Sequence, residues 1–552
     1  MNEDVTHGTP EDQEPIDADA EGAVAQDDAG GGDRRYAWMI SWLVSGALHA
    51  TALLLAGTIY FLTADPEQEI PPVRVTSIPP PPMKKEDKPK EERELLDPKV
   101  VLDIESKSDV VAPITQLDLP DETASREEEN DAPVPKGREE AVADSEMGGQ
   151  GAFMAIGAGG GSAGMFGSRT GGGRKRAVGR GGGSKGSESA VEAALRWFKK
   201  HQAPTGEWHV EKYVANCTEA QKCEPGKPEH CSAAESTVAL TGYAVLAFLG
   251  AGYDHKTPNR YRQVVKLGID WLLAQQKPDG LLGTRNYEHP VATMALAEAY
   301  AMTSDPTLRD PAQKAVDLLV SRQNQGGGGY GLGWDYTAAS NRNDSSVTGW
   351  CVMALKSAYA GGLNVGNSME GAKQWLDKAW KATNPDWASL DPYTGQSDFP
   401  YTWNTASSVF EHTFGGPQLT RGLGRDCAPM GLVCAVFLGR RAGDIMLETL
   451  GNHVAEFQTP QIYPTNTYYL YYNTLGMFQL GGKRWEAWNS KVRDLLVNAQ
   501  RKGDGCFDGS WDWTTSDFPG AGNGRVLSTA YCTLSLEVYY RYAQVQAGKG
   551  KH

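Results

Sequence analysis

Two stretches of the 552-residue chain repeat a Trp-Asp-aromatic signature, Trp334-Asp335-Tyr336 and Trp511-Asp512-Trp513. A carboxylate flanked by aromatic rings suits a sugar or a peptide, because the rings cover an apolar face while the carboxylate accepts hydrogen bonds. The same residues could equally seal the end of a helical ring. Glu298 lies inside an apolar run, VATMALAEAYA, as either a lumen-facing carboxylate or a paired core charge. Carboxylates paired roughly 5–10 Å apart perform acid–base chemistry on glycosides, so Asp335, Asp344, Glu298 and Asp512 are the groups an enzyme would use. Cys217, Cys223 and Cys231 share one connection with His209 and His230 near by. Their spacing misses the tight turn of structural zinc sites. The expectation is no metal and no cofactor, with Cys217–Cys223 or Cys223–Cys231 as alternative disulfides outside the cytoplasm. Cys351, Cys434 and Cys532 read as small core residues.

The elements that position these residues begin at residue 188. Six amphipathic segments, such as SAVEAALRWFKKHQ and VVKLGIDWLLAQQ, alternate with uniformly apolar ones, such as STVALTGYAVLAFLGAGY and SSVTGWCVMALKSAYAGG. Each hairpin cannot bury its apolar face alone, so six copies predict a closed array with the apolar helices inside. Alignment of Thr241-Gly242-Tyr243, Thr348-Gly349-Trp350, Met430-Gly431-Leu432 and Thr529-Ala530-Tyr531 superposes Thr237, Asp344, Asp426 and Arg525, with His289 at the equivalent place. Such a ring of helix starts could bind a polar or anionic ligand; Asp and Thr there are also ordinary helix caps. The expected binding residues are His289, Trp334, Asp335, Trp511, Asp512 and Arg525. No catalytic residue is assigned, with Asp344, Asp426 and Glu298 as the candidates.

Several amphipathic segments end in Gln before a Gly-rich turn: Gln202-Ala-Pro-Thr-Gly206-Glu-Trp208, Gln276, Gln323 and Gln500. Gln could bond the orphan N–H groups of the next helix start while an aromatic covers it. The first copy resembles the Gln-x-x-x-Gly-x-Trp repeat of squalene cyclases. The domain is thus similar to the α/α-toroid of the terpenoid cyclase and protein prenyltransferase superfamily, which implies an all-α (α/α)6 toroid over about 190–545. The chemistries of that superfamily lack their motifs. The single Asp-Asp pair, Asp27-Asp28, is in the tail, so neither Asp-x-Asp-Asp nor Asp-Asp-x-x-Asp occurs. Asp504-Gly-Cys506 copies only part of the prenyltransferase zinc pattern, and the thioester Cys-Gly-Glu-Gln is absent.

The formal charge of −16 belongs to the first third. Residues 1–33 carry eleven acidic and no basic side chains, whereas 188–552 carry 35 against 34. A nucleic-acid partner is excluded, since it needs a basic folded face. Tyr36 to Ala64 hold no fixed charge, enough for a span of about 20 residues with tilt. Arg34 and Arg35 precede that segment and Asp65 follows, which predicts an inner-membrane protein with a cytoplasmic N-terminus and an extracytoplasmic, periplasmic C-terminal domain. Ser45 and His49 share one face of the span. With the following IPPVRVTSIPPPPMKKEDKPKEE they resemble the anchor of the TonB/TolA class, which implies ExbB/ExbD-like proton-channel subunits as partners.

The chain therefore divides into an acidic disordered tail (1–35), a transmembrane helix (36–64), a Pro- and charge-rich linker (65–147), a Gly-rich linker (148–187), the toroid (188–545) and a short tail (546–552). The expected function is a membrane-anchored, non-catalytic binding module, possible motor coupling included, with an unknown polymer, protein or lipid at the toroid mouth. The alternative is a terpenoid- or glycan-acting enzyme using toroid carboxylates.

Overall fold

The computed structural model describes residues 167–541 apart from 229–231, 327–331, 408–409, 412–426 and 514–519, together with Ala50 and Thr51. Ser45, His49, Cys231, Asp426, residues 65–147 and most of the 36–64 segment lie outside the described residues.

A helix α1 (Gly171–Gly181) precedes six hairpins. These are α2 (Lys185–His201) with α3 (Ala233–Gly250), α4 (Arg262–Gln275) with α5 (Glu288–Thr303), and α6 (Pro306–Ser321) with α7 (Ser345–Ala360). They continue with α8 (Ser368–Thr383) and α9 (Ala428–Phe437), α10 (Ile445–Phe457) and α11 (Thr467–Leu480), and α12 (Gly482–Ala499) and α13 (Gly520–Leu536); α14 (Val538–Arg541) follows. The second helix of each pair packs on the next, α3-α5-α7-α9-α11-α13, and α13 returns to α3. The ring is an (α/α)6 toroid, as the repeats predict. Helix α3 is long and apolar enough to cross a membrane, but it is walled in by its neighbours. Outer helices bury one stripe only; in α4 it is Val264, Val265, Gly268, Ile269 and Leu272. A three-stranded antiparallel sheet, β1 (Arg342–Asp344), β2 (Thr402–Asn404) and β3 (Phe410–Glu411), sets Asp344 opposite Thr402 at the start of α7.

The Gln repeat works with opposite polarity to the sequence expectation. Each Gln amide donates to two carbonyls, one in its own turn and one near the start of the next outer helix. Gln202 reaches Gly206 and Val264, Gln276 reaches Gly280 and Pro311, and Gln323 reaches Leu332 and Ser368. Gln500 reaches Gly509 and Ala190, which closes the ring from its last outer helix to its first. Gly206 and Gly509 have positive φ, and a Cβ at either would collide with a carbonyl of that neighbouring helix.

The folded region also starts earlier than residue 188. Helix α1 holds five glycines in eleven residues, against propensity by about 1 kcal/mol each, and tertiary contacts override that. Arg174 donates to Glu188, to the Ala251 carbonyl and to the Tyr540 hydroxyl. A Cβ at Gly181 would stand 2.8 Å from Tyr539, so the close approach needs the glycine.

Candidate functional site

The connections from outer to inner helices all emerge at one end of the toroid, the mouth. Three of the four Trp-bearing connections are built alike. Backbone N–H groups of Trp208, Trp334 and Trp511 donate to Thr241, Thr348 and Thr529, and their indoles donate to Phe198, Leu319 and Leu496 carbonyls. Trp334 and Trp511 are therefore buried braces, not ligand platforms. His289 is a brace too: it lies between the Leu282 N–H and the Ala315 carbonyl, and burial lowers its pKa to about 4. Thr237 accepts from the Val210 N–H, and Arg525 holds Ser510 and Asp512. The described members of the superposed ring fasten connections to helices instead of facing a ligand, because each connection's backbone needs a partner where it turns inward.

Asp344 is a cap. Its carboxylate takes the N–H groups of Ser346 and Val347 at 2.9 and 3.1 Å and one arm of Arg342 at 2.9 Å. It has no exposed surface, and burial raises its pKa despite Arg342. Glu298 lies at the opposite end, paired with Arg169 at 2.8 Å and Arg541 at 2.9 Å. Burial opposes its ionisation, but the two guanidiniums outweigh this and hold the pKa down. It is a core charge, and a catalytic role for Glu298 is excluded by its closed surroundings.

In the same cluster burial pushes Glu537 up to about 8 against the pull of Arg541. A carboxyl raised in the folded state contributes stability that is full below its unfolded value and lost as pH rises through the folded one. The expected result is that Glu537→Gln melts increasingly above wild type between pH 5 and pH 8; parallel curves would contradict this.

At mid-height the centre is filled. Tyr243, Trp350 and Tyr531, the residues two places after the aligned threonines, meet with ring centroids 5.0–6.4 Å apart, joined by Tyr471 and Tyr472. A lumenal chamber for an isoprenoid has no room at that level.

The rim above is different. Tyr336 is flanked by two guanidiniums, Arg285 at 6.0 Å and Arg342 at 5.6 Å from its ring. Arg342 holds Asp335 at 2.7 Å and Arg285 lies 3.7 Å from Glu235; these carboxylates are 20% and 17% exposed, so both reach solvent. Asn286 ties the two connections, donating to the Asp335 carbonyl at 2.8 Å. The Tyr336 and Tyr401 hydroxyls lie 3.1 Å apart, and burial pushes Tyr336 up to about 12, so it stays protonated and able to donate. Asp512 is the second partly exposed signature carboxylate, held by Arg501 and Arg525. Sequence reading missed Glu235, Arg285, Arg342 and Tyr401. Glu235 has the spacing of a capping box with Ser232 and serves as one, which hides its second contact with Arg285.

The chain also brings His201, Cys217, Cys223 and Cys506 together, all buried. The sequence expectation was no metal; these four side chains could hold one, and the cluster omits His209 and draws Cys506 from the far end of the chain.

No protein-family model matches the chain, and no curated protein matches it. Among solved structures it is similar to an α-amylase from Clostridium perfringens (9% identity, 63% of this chain and 98% of that one, TM-score 0.40). It is also similar to an α-1,6-mannanase of Salegentibacter sp. (12%, 65% and 100%, 0.42) and a type II terpene cyclase from Scytonema (13%, 65% and 98%, 0.38). These structures are α/α-toroids. Enzymes that act on glycans recur among these similar structures, an endo-β-1,4-glucanase from Acetobacter xylinum included; the likeness is one of fold, and the expectation of a non-catalytic binding module gives way to its glycan-acting alternative.

Proposed function

We propose that the toroid is a glycan-acting enzyme whose mouth holds a polysaccharide strand and cleaves it by acid–base chemistry. The observation that carries this is the rim row Glu235–Arg285–Tyr336–Arg342–Asp335, in which two solvent-reaching carboxylates flank an aromatic face. A tyrosine face stacks on a sugar ring, and fixed carboxylates and arginines read its hydroxyls. Asp335 is the group placed to exchange a proton with substrate. Tyr336, whose hydroxyl lies against that of the buried Tyr401, donates a hydrogen bond to a sugar oxygen, and Asp344 positions Arg342 from behind. The filled centre favours a strand lying across the mouth over an isoprenoid entering it. The test is release of new reducing ends from a panel of neutral and uronate-containing polysaccharides by the full chain in detergent. Release from at least one polymer supports the reading; none across the panel sinks it.

We further propose that this enzyme is held by an inner-membrane anchor at 36–64, with residues 65–166 as its tether. In this reading the toroid lies in the periplasm, and the Ser45/His49 face docks ExbB/ExbD-like subunits. Copurification of those subunits with the full chain, and its loss in His49→Ala, is the expected outcome; equal recovery would remove the motor from the account.

A further inference from the structure

We propose that His201, Cys217, Cys223 and Cys506 form a structural zinc site that locks the seam of the ring. The ligand atoms lie within 4.8 Å of one another. His201 Nε2 is 3.1 Å from Cys506 Sγ, 3.5 Å from Cys217 Sγ and 3.8 Å from Cys223 Sγ. Bonds of about 2.3 Å to sulfur and 2.0–2.1 Å to nitrogen in a tetrahedron put nitrogen and sulfur about 3.6 Å apart, and the three distances straddle that value. Three thiolates and one imidazole are a soft, closed set that selects zinc and leaves no open position for substrate.

The surroundings fit a metal centre independently. The Trp197 carbonyl, 2.8 Å from His201 Nδ1, accepts the proton of that nitrogen and leaves Nε2 with its lone pair toward the sulfurs. The Trp197 ring stacks on the imidazole, and its indole donates to the Cys506 carbonyl at 3.0 Å. The Cys223 N–H points at Cys217 Sγ at 3.4 Å. Binding displaces one proton from each of three thiols, so the centre carries a net charge of −1, and Lys200 and Arg525 supply positive charge beside it. Asp504 takes no part: it pairs with Arg501, so this is not the Asp/Cys/His set that the prenyltransferase resemblance would supply.

The placement gives the site its role. His201 ends the first outer helix, Cys217 and Cys223 lie in the first connection, and Cys506 lies in the last. One ion would fasten segments about 300 residues apart, at the place where the ring must close and no backbone joins its ends. Three cysteines also leave one thiol over from any disulfide among them, which a metal does not.

The test is metal analysis of the full chain purified without chelator. The expected result is about one zinc per chain, lost in Cys506→Ser and kept in Cys434→Ser, whose thiol is buried elsewhere. Since Cys506→Ser also removes a buried side chain at the ring's seam, wild-type protein exchanged with cobalt(II) provides a second measurement that needs no substitution. A thiolate charge-transfer band with tetrahedral d–d bands supports the site. A metal-free wild type that yields no such spectrum, or a Cys217–Cys223 disulfide in peptide mapping, overturns it.

Discussion

Replacing Asp335 by Asn is expected to lower glycan cleavage by roughly 10³-fold, about 4 kcal/mol of transition-state stabilisation, since a positioned acid–base group contributes about 10²–10⁴. The substitution keeps the side chain's size and its contact with the Tyr336 N–H. It removes the group that can exchange a proton. Folding should hardly change, because a pair at the rim that still reaches solvent, such as Asp335–Arg342, contributes only about 0–1 kcal/mol. Asp344→Ala provides the contrast. That residue is a closed cap, so its loss should cost about 0.5–2 kcal/mol of stability and affect the rate only through Arg342. Activity assays and melting curves on both variants separate the roles; a Asp335→Asn enzyme as fast as wild type would remove Asp335 from the chemistry.

The second large effect is at the closed end. Glu298→Ala is expected to destabilise the toroid by about 3–5 kcal/mol, because it leaves the Arg169 and Arg541 guanidiniums buried with their shared carboxylate gone. Both arginines lie outside the six hairpins, one before α1 and one in α14, and they reach inner-helix carbonyls at Leu249 and Leu246. Glu298 thus fixes both termini of the domain to its centre. The measurement is the denaturant midpoint at constant slope; a change under about 1 kcal/mol would contradict the cluster's role.

The repeats made the ring legible, because a period of hairpins with one apolar partner is written directly in the sequence. The alignment on Thr241, Thr348 and Thr529 was legible too. That the residues two places on, Tyr243, Trp350 and Tyr531, fill the centre was not, since the sequence does not decide between an open and a filled lumen. The site was harder to read. Trp334 and Trp511 look like sugar platforms in sequence, yet their indoles satisfy helix carbonyls, a choice that depends on which way a connection turns. Glu298 could not be distinguished from a lumen carboxylate because its partners lie 129 and 243 residues away. The cysteine cluster escaped for the same reason: Cys217 and Cys223 have the wrong spacing alone, and only ring closure delivers His201 and Cys506. Helix α1 escaped because its composition is that of a linker, and Arg174 and Tyr539 override it.

The central claim is that the rim around Asp335 is where a glycan binds and reacts. Hydrogen exchange of Asp335→Asn, which should bind without turnover, measured with a polysaccharide that the wild type cleaves, tests this most directly. Slowed exchange in residues 332–344 and 399–404, with the closed end unchanged, is the predicted result. Protection confined to another part of the toroid, or none with a polymer that is cleaved, would contradict it.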